Sequence, residues 1–312
     1  IDLFVGGRLA PGFYPYPSTS YILVNNGDNT FTTFGNEKGE VFHRNGLVTD
    51  AIWTDFDEDG WSDLILVGEW MPITFVKNNK GAFEDVSSSY INEYSNGWWN
   101  SISAGDFDND GDIDYVLGNL GENNQYHPSI TEPVEVFAKD FDGNGKIDPI
   151  ITQYIQGKRY SKWSLDVLVE QLKMMRKKFP NYEKFANATF DEYFTQEELK
   201  GVYHLSSYTF SNSILINEEG RYTLKPLNSQ LQLSPIYGMM ATYIDDDSNL
   251  DLIAIGNEYT SDVIGGYMDA GSGFVALGNG DGTFRNVPNG LTNFVVKGDG
   301  KSLVKVTIAD KE

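Results

Sequence analysis

Residues 106–118 read Asp-Phe-Asp-Asn-Asp-Gly-Asp-Ile-Asp-Tyr-Val-Leu-Gly, an acidic loop running straight into a short apolar strand. With Asp106 as position 1, carboxylates fall at 1, 3, 5 and 9 and glycine at 6. Alternate side chains of a tight loop turn inward, the glycine permits the sharp bend, and the position-7 carbonyl adds a neutral oxygen. The pattern therefore gathers hard oxygen ligands round one cation. Such a set suits Ca²⁺, whereas Mg²⁺ keeps its water and takes fewer protein ligands.

The register recurs along the chain. Asp55, Asp57, Asp59, Gly60 and Asp63 make one copy; Asp106, Asp108, Asp110, Gly111 and Asp114 the next; Asp140, Asp142, Asn144, Gly145 and Asp148 a third. Trp61, Asp112 and Lys146 stand at position 7 as the carbonyl donors. One Asp-Gly turn needs no metal to explain it, but three copies in one register, each just before an apolar strand, predict three Ca²⁺ sites. A fourth copy keeps Asp245, Asp247 and Asp251 and offers Asn249, yet has Tyr243 at position 1 and Ser248 in place of glycine. It is a weaker candidate for a fourth site.

Outward from the loops, two further units repeat. Apolar strands follow an Asp at Asp2–Gly7, Asp63–Gly68, Asp114–Gly118 and Asp251–Gly256, with Asp148–Thr152 as a weaker relative. They are too short for core helices and read as buried strands. Hairpins recur at Tyr21–Phe31, Thr74–Phe83, Ser213–Tyr222 and Phe274–Phe284, each with Asn, Gly or Glu-Gly at the turn. Strand, acidic loop, strand and hairpin together predict a four-stranded antiparallel blade. The expected fold is an all-β propeller with five recognisable blades, six or seven in an intact chain, forming a single domain over residues 1–312.

The interval from Asp114 to Asp148 is only 34 residues and shows no hairpin. After Asp148 comes a stretch of different character, a helical insertion over 161–202. Leu165, Leu168, Val169, Leu172, Met175 and Phe179 keep helical spacing behind a Ser164 cap, Pro180 stops the helix, and Thr195 with Glu198 forms a capping-box pattern. This insertion is expected to separate the Asp148 strand from its hairpin at Ser213–Tyr222. The Lys173, Arg176, Lys177 and Lys178 cluster reads as a solvated helix face.

The chain carries 23 basic and 45 acidic residues, for a net charge of −22, and no cysteine. That charge repels a phosphate backbone and an anionic membrane surface, so nucleic acid is not an expected partner. No apolar run is long enough to span a bilayer. Neither disulfides nor a thiol zinc site can hold the fold, which leaves the acidic loops to stiffen it.

The loops and the hairpins together resemble the FG-GAP or VCBS repeats of the integrin α-subunit propeller and of the bacterial relatives of cartilage acidic protein. The resemblance implies a Ca²⁺-stabilised propeller that is exported, periplasmic, extracellular or at the cell surface. It names no ligand, since the repeat serves adhesion proteins, lectins and accessory propellers of polysaccharide lyases alike.

If the acidic loops join the first and second strands on one rim, the connections between second and third strands emerge on the other. Those connections are the long ones: 6–20, 68–72, 118–129 and 256–273. They carry Arg8, Tyr14, Tyr16, Glu69, Trp70, Asn119, Asn123, Asn124, Tyr126, Glu258 and Tyr259, a mixture suited to a glycan or protein ligand. Trp98 and Trp99 are expected to pack between blades. The expected function is a binding module. The alternatives are a Ca²⁺-dependent polysaccharide lyase or hydrolase, with Glu69, His127 or Glu258 as acid or base, and a structural propeller of a larger envelope assembly. No G-x-S-x-G or H-E-x-x-H motif supports catalysis.

Asp2 stands where position 9 of an acidic loop belongs, so the chain reads as a piece of a longer one. Ser302–Ile308 reads as an incoming first strand; it would either pair with Leu3–Val5 and close the ring, the favoured reading because an open edge strand invites aggregation, or lead on to further blades.

Overall fold

The computed structural model describes residues 2–35, 40–43, 46–92, 94–260 and 265–306. The first sheet holds β1 (Leu3–Val5), β2 (Tyr21–Asn25) and β3 (Phe31–Thr33), in that order. The second runs β4 (Leu47–Thr54), β5 (Asp63–Met71), β6 (Thr74–Asn78) and β7 (Phe83–Asp85), with β8 (Gly97–Trp98) added along the far end of β5. Then come β9 (Ser101–Gly105) and β10 (Asp114–Gly118).

The chain next departs from the expected order. Before the blade begun by β9 and β10 is complete, it builds a separate sheet from β11 (Val134–Lys139), β12 (Asp148–Ile155), β13 (Lys158–Ser161) and β14 (Tyr203–Ser207). Only afterwards do β15 (Ser213–Glu218) and β16 (Arg221–Pro226) pair back onto β10. The last sheet is a plain meander of β17 (Ile236–Thr242), β18 (Asp251–Gly256), β19 (Phe274–Gly278) and β20 (Phe284–Val287).

Five antiparallel sheets are therefore present among the described residues, and their packing is that of a β-propeller. The hairpin at 213–222, however, belongs to the Asp114 strand and not to the Asp148 strand. Register explains the choice: Tyr115, Val116 and Leu117 face Leu215, Ile214 and Ser213, matching one fully buried strand with another. The short interval to Asp148 marks the start of an inserted sheet in the order β13-β12-β11-β14. Its helices join the two opposite edge strands, so they do not occupy a connection between second and third strands.

Apolar clusters run between successive sheets. Ile22 packs with Leu64, Leu66 and Val76; Phe75, Leu215, Tyr115 and Tyr222 fill the next interval; Val116, Ile214, Leu252 and Phe274 the one after. Innermost strands β4, β9 and β17 lie side by side, tied by Ile102 N donating to Asp50 Oδ2 (3.0 Å) and Ser101 Oγ donating to Ile236 O (3.1 Å). Gly118 is required here, because a Cβ would sit 2.2 Å from Ile236 O. Trp99 is buried in the interval between the second and third sheets, the packing role expected of it.

The inserted sheet rests on the ends of β5 and β8, where Trp70 packs with Tyr126, Val134, Val136 and Ile151, and Trp98 joins from one side. Its helices cover a core of Leu165, Leu168, Leu172, Met175 and Phe179. The single helix expected there breaks after Leu165–Gln171, capped by Ser164, and resumes at Met175–Lys178. Thr195 and Glu198 do close a capping box (Thr195 N to Glu198 Oε2 2.6 Å, Glu198 N to Thr195 Oγ1 3.3 Å), but residues 196–201 form turns and no second long helix.

Residues 307 and 308 of the expected closing strand lie outside the described residues. Ser302 to Val306 form no ladder, and among the described residues β1 pairs only with β2. Ser302 and Leu303 instead run beside β17, where a Cβ on Gly238 would meet Leu303 N at 2.8 Å.

Candidate metal loops and the opposite pocket

Four acidic loops share one construction. At position 7, the N–H of Trp61, Asp112, Lys146 and Asn249 donates to the position-5 side chain, Asp59, Asp110, Asn144 and Asp247, at 2.9 Å each time. At position 9 the carboxylate is buried and accepts from the third strand: Asn78 N to Asp63 (2.6 Å), Asn217 N to Asp114 (2.8 Å) and Gly278 N to Asp251 (2.9 Å). In these three sheets the last Asp thus sews the loop to the third strand, whereas Asp148 accepts from Phe141 N (3.0 Å) within its own loop.

The first three loops also fold position 1 over the bend. Gly60, Gly111 and Gly145 donate their N–H groups to Asp55, Asp106 and Asp140 (2.9, 3.1 and 2.8 Å). Positions 1, 3 and 9 then converge: Asp55, Asp57 and Asp63; Asp106, Asp108 and Asp114; Asp140, Asp142 and Asp148, each set with one carboxylate oxygen apiece within 4.8 Å of the others. Asp59, Asp110 and Asn144 stand outside these triads, shaping the turn. In the fourth loop Tyr243 is exposed and offers no carboxylate, so the cluster forms from positions 3, 5 and 9, Asp245, Asp247 and Asp251. Ser248 takes the bend at φ 66°, where Gly111 has φ 97°.

The residues fit a bound cation. Asp57 Oδ1, Asp63 Oδ2, Asp106 Oδ1 and Asp108 Oδ1 are buried with no hydrogen-bond partner, which is costly for carboxylate oxygens unless a positive charge meets them. Burial, reinforced by neighbouring carboxylates, pushes Asp63 and Asp114 up to about 6. Asp108 and Asp148 are raised for the same reasons. A divalent ion would reverse that penalty. The first loop has a partner of its own: Lys77 Nζ bonds Asp57 and reaches Asp59 at 2.8 Å, holding Asp59 below its usual value. In the second loop the corresponding third-strand residue is Ile216, with no charge.

Residues 55–117 match the FG-GAP-like repeat family. The match spans the first acidic loop, the rest of its sheet and the second loop with its strand. No curated protein matches the chain.

The loops at 55, 106 and 243 join first to second strands and so share one rim, where Asn109 Nδ2 donates to Asn249 Oδ1 (2.8 Å) between neighbours. The loop at 140 belongs to the inserted sheet and is carried away from that rim. At the opposite ends of the strands lies a pocket of about 690 Å³, lined by Arg8, Glu69, Trp98, Tyr126, Lys162, Trp163, Tyr237, Glu258 and Lys301 among others. A larger hollow of about 980 Å³, beside Ser87, Tyr94, Ile130 and Arg221, has no comparable convergence of charged and aromatic groups.

Of the residues singled out in the long connections, Arg8, Glu69, Tyr126 and Glu258 meet in this pocket. Arg8 donates to Glu69 Oε2 through Nε (3.2 Å) and Nη2 (2.8 Å), and Tyr14 OH donates to Glu69 Oε1 (3.2 Å). Glu258 accepts from Tyr237 OH (2.7 Å), Lys301 Nζ (3.0 Å) and Thr260. Burial opposes its ionisation, but those bonds outweigh it and draw Glu258 down to about 2.

The others serve the scaffold. Trp70 is 1% exposed, with its indole N–H given to Tyr14 OH (2.6 Å), so it is a core residue and not a surface contact. Its left-handed backbone (φ 62°) carries β5 past an irregular step that leaves Glu69 in the pocket wall. Asn119 is fully buried, accepting from Trp98 N and Leu120 N. Asn123 donates to Leu233 O (3.0 Å), ahead of β17, and Asn124 donates to Gly121 O (2.6 Å) within its own connection. Tyr16 stacks on Tyr203 of the inserted sheet at 4.6 Å, and Tyr259 pairs with Tyr267 at 5.2 Å outside the pocket lining. Lys162, Trp163, Tyr237 and Lys301 escaped the sequence reading, since no repeat position marks them.

Proposed function

We propose that this protein is an exported binding module in which Ca²⁺ at the acidic loops stiffens the blades while a glycan or protein ligand seats in the opposite pocket. The observation that carries the reading is convergence: side chains from the first, second, third and last sheets and from the inserted sheet all reach one pocket. A cavity of this size with aromatic walls and a few placed polar groups is the usual form of a ligand site. Ca²⁺ is favoured at the loops because the donors are carboxylate and carbonyl oxygens alone.

Binding is favoured over catalysis by the state of the carboxylates. Glu258 is held ionised and saturated with donors, which unfits it as a general acid. Both oxygens of Glu69 are engaged by Arg8 and Tyr14. His127 is exposed and lies outside the pocket lining.

A glycan array and a pull-down from the native envelope, run in millimolar Ca²⁺, test the proposal. Met268→Trp, which narrows the pocket, should abolish capture while the melting temperature holds. Undiminished capture by that variant would place the ligand elsewhere and refute the reading.

A further inference from the structure

We infer that the third acidic loop is a calcium-operated clasp, an inference that rests on the calcium reading above. When Asp140, Asp142 and Asp148 share an ion, they lock the helical insertion onto the inserted sheet and, through the helix Leu165–Gln171, fix Trp163 in the pocket wall. What sets this loop apart is the reach of β13. That strand stops with Ser161 opposite Thr152, and Lys162 N donates to Ile151 O (2.9 Å), short of Asp148. Among the described residues, the N–H groups that Asn78, Asn217 and Gly278 give to position 9 elsewhere have no counterpart here. The helical insertion stands beside the loop instead.

Contacts from both flanks of the loop and from its second position join it to that insertion. Lys139, one residue ahead of Asp140, donates through Nζ to Glu198 O (2.9 Å) and Lys200 O (2.8 Å). Phe141, at position 2, stacks on Phe194 with ring centres 4.4 Å apart, whereas Phe56 and Phe107 at the same position of the first two loops pack between sheets. Pro149, one residue after Asp148, accepts from Gln171 Nε2 (3.3 Å) through its carbonyl. Three carboxylates with oxygens within 4.8 Å of one another repel when no cation is shared. Emptying the loop therefore loosens residues 139–149, on which all of these contacts stand.

Gln171 ends the helix Leu165–Gln171, a rod of about 10 Å. At its other end Ser164 caps the helix, and Trp163 just ahead packs both on the helical core and on the core beneath the pocket, which it lines. One end of the rod thus meets the third loop and the other the pocket wall. The first two loops are sewn to third strands of their own sheets, by Asn78 and Asn217.

The test is hydrogen exchange over residues 163–200, read by mass spectrometry on the whole chain in millimolar Ca²⁺, with bound ions counted in the same samples. Asp142→Ala should release one ion and speed exchange there about tenfold, the factor expected when a site of about 10⁻⁴ M affinity is emptied. Asp108→Ala should also release one ion, yet leave this stretch protected. Because emptying the loop also strains its sheet, Gln171→Met is measured too. It keeps every carboxylate, and by linkage it should weaken Ca²⁺ at the third loop severalfold while exchange along the helix rises. Equal acceleration by Asp108→Ala, or a third site of wild-type affinity in Gln171→Met, overturns the inference. An ion lost from Asp142→Ala with no change in exchange refutes the clasp alone, whereas a wild-type chain that binds no Ca²⁺ refutes the calcium reading with it.

Discussion

On the rim, Asp106, Asp108 and Asp114 come together within nine residues of chain, held by N–H groups of their own loop and of the neighbouring strand. In the pocket, Arg8 meets Glu69 across 61 residues and Lys301 meets Glu258 across 43. The rim is a local device repeated along the chain, so any one copy can decay, as the loop at 243 has in its first position, without disturbing the others. The pocket is a collective device. It exists only when several sheets are in place, and its supporting residues are buried in the same packing that carries the fold. Calcium on the rim should therefore act on the pocket through stiffness and not through contact.

The sharpest way to break this contrast is at Trp70. As a fully buried side chain under the pocket, Trp70→Ala should cost about 3–5 kcal/mol, read from chemical denaturation. A change under ~1 kcal/mol would show that the far face is a separable surface layer.

Removing calcium comes next. For sites with affinity near 10⁻⁴ M, millimolar Ca²⁺ contributes about 1.4 kcal/mol per site, so EGTA should lower the melting temperature. Equal melting curves with and without chelator would deny the loops any part in stability. Counting bound ions by titration then separates the copies. Asp108→Ala should remove one ion, and Asp245→Ala, in the loop that lacks a first-position carboxylate, should do less.

A smaller effect is expected at Lys77, whose ammonium already sits against Asp57 and Asp59. Lys77→Met should strengthen Ca²⁺ binding at the first loop severalfold, because a tethered cation no longer competes for the same oxygens. Weaker or unchanged binding would mean that Lys77 supports the loop.

The smallest effect is one of pH. Glu258 is drawn from 4.5 to about 2, so the stability it contributes is present above pH 4.5 and lost as pH falls toward 2. Denaturation midpoints of wild type should therefore fall more steeply over that interval than those of Glu258→Gln. Parallel curves would show that the bonds from Tyr237, Thr260 and Lys301 do not favour the ionised form.

By itself the sequence determined the blade unit, the acidic loops and the face on which the long connections gather. These are short-range matters: a loop of nine residues closes on its own N–H groups, a glycine bends it, and alternating burial marks each strand. Tertiary structure decided which hairpin completes which blade. The apolar strands at 114 and 148 present nearly the same pattern, and only register against Leu215 and Ile214 separates them. It also decided that Trp70 is core and Arg8 is surface: both stand in stretches of similar composition, but the inserted sheet packs over Trp70 while Arg8 stays exposed beside Glu69. Lys162, Trp163 and Lys301 enter the pocket from segments with no repeat signature. Their convergence depends on long-range packing of several sheets, which no local pattern of side chains records.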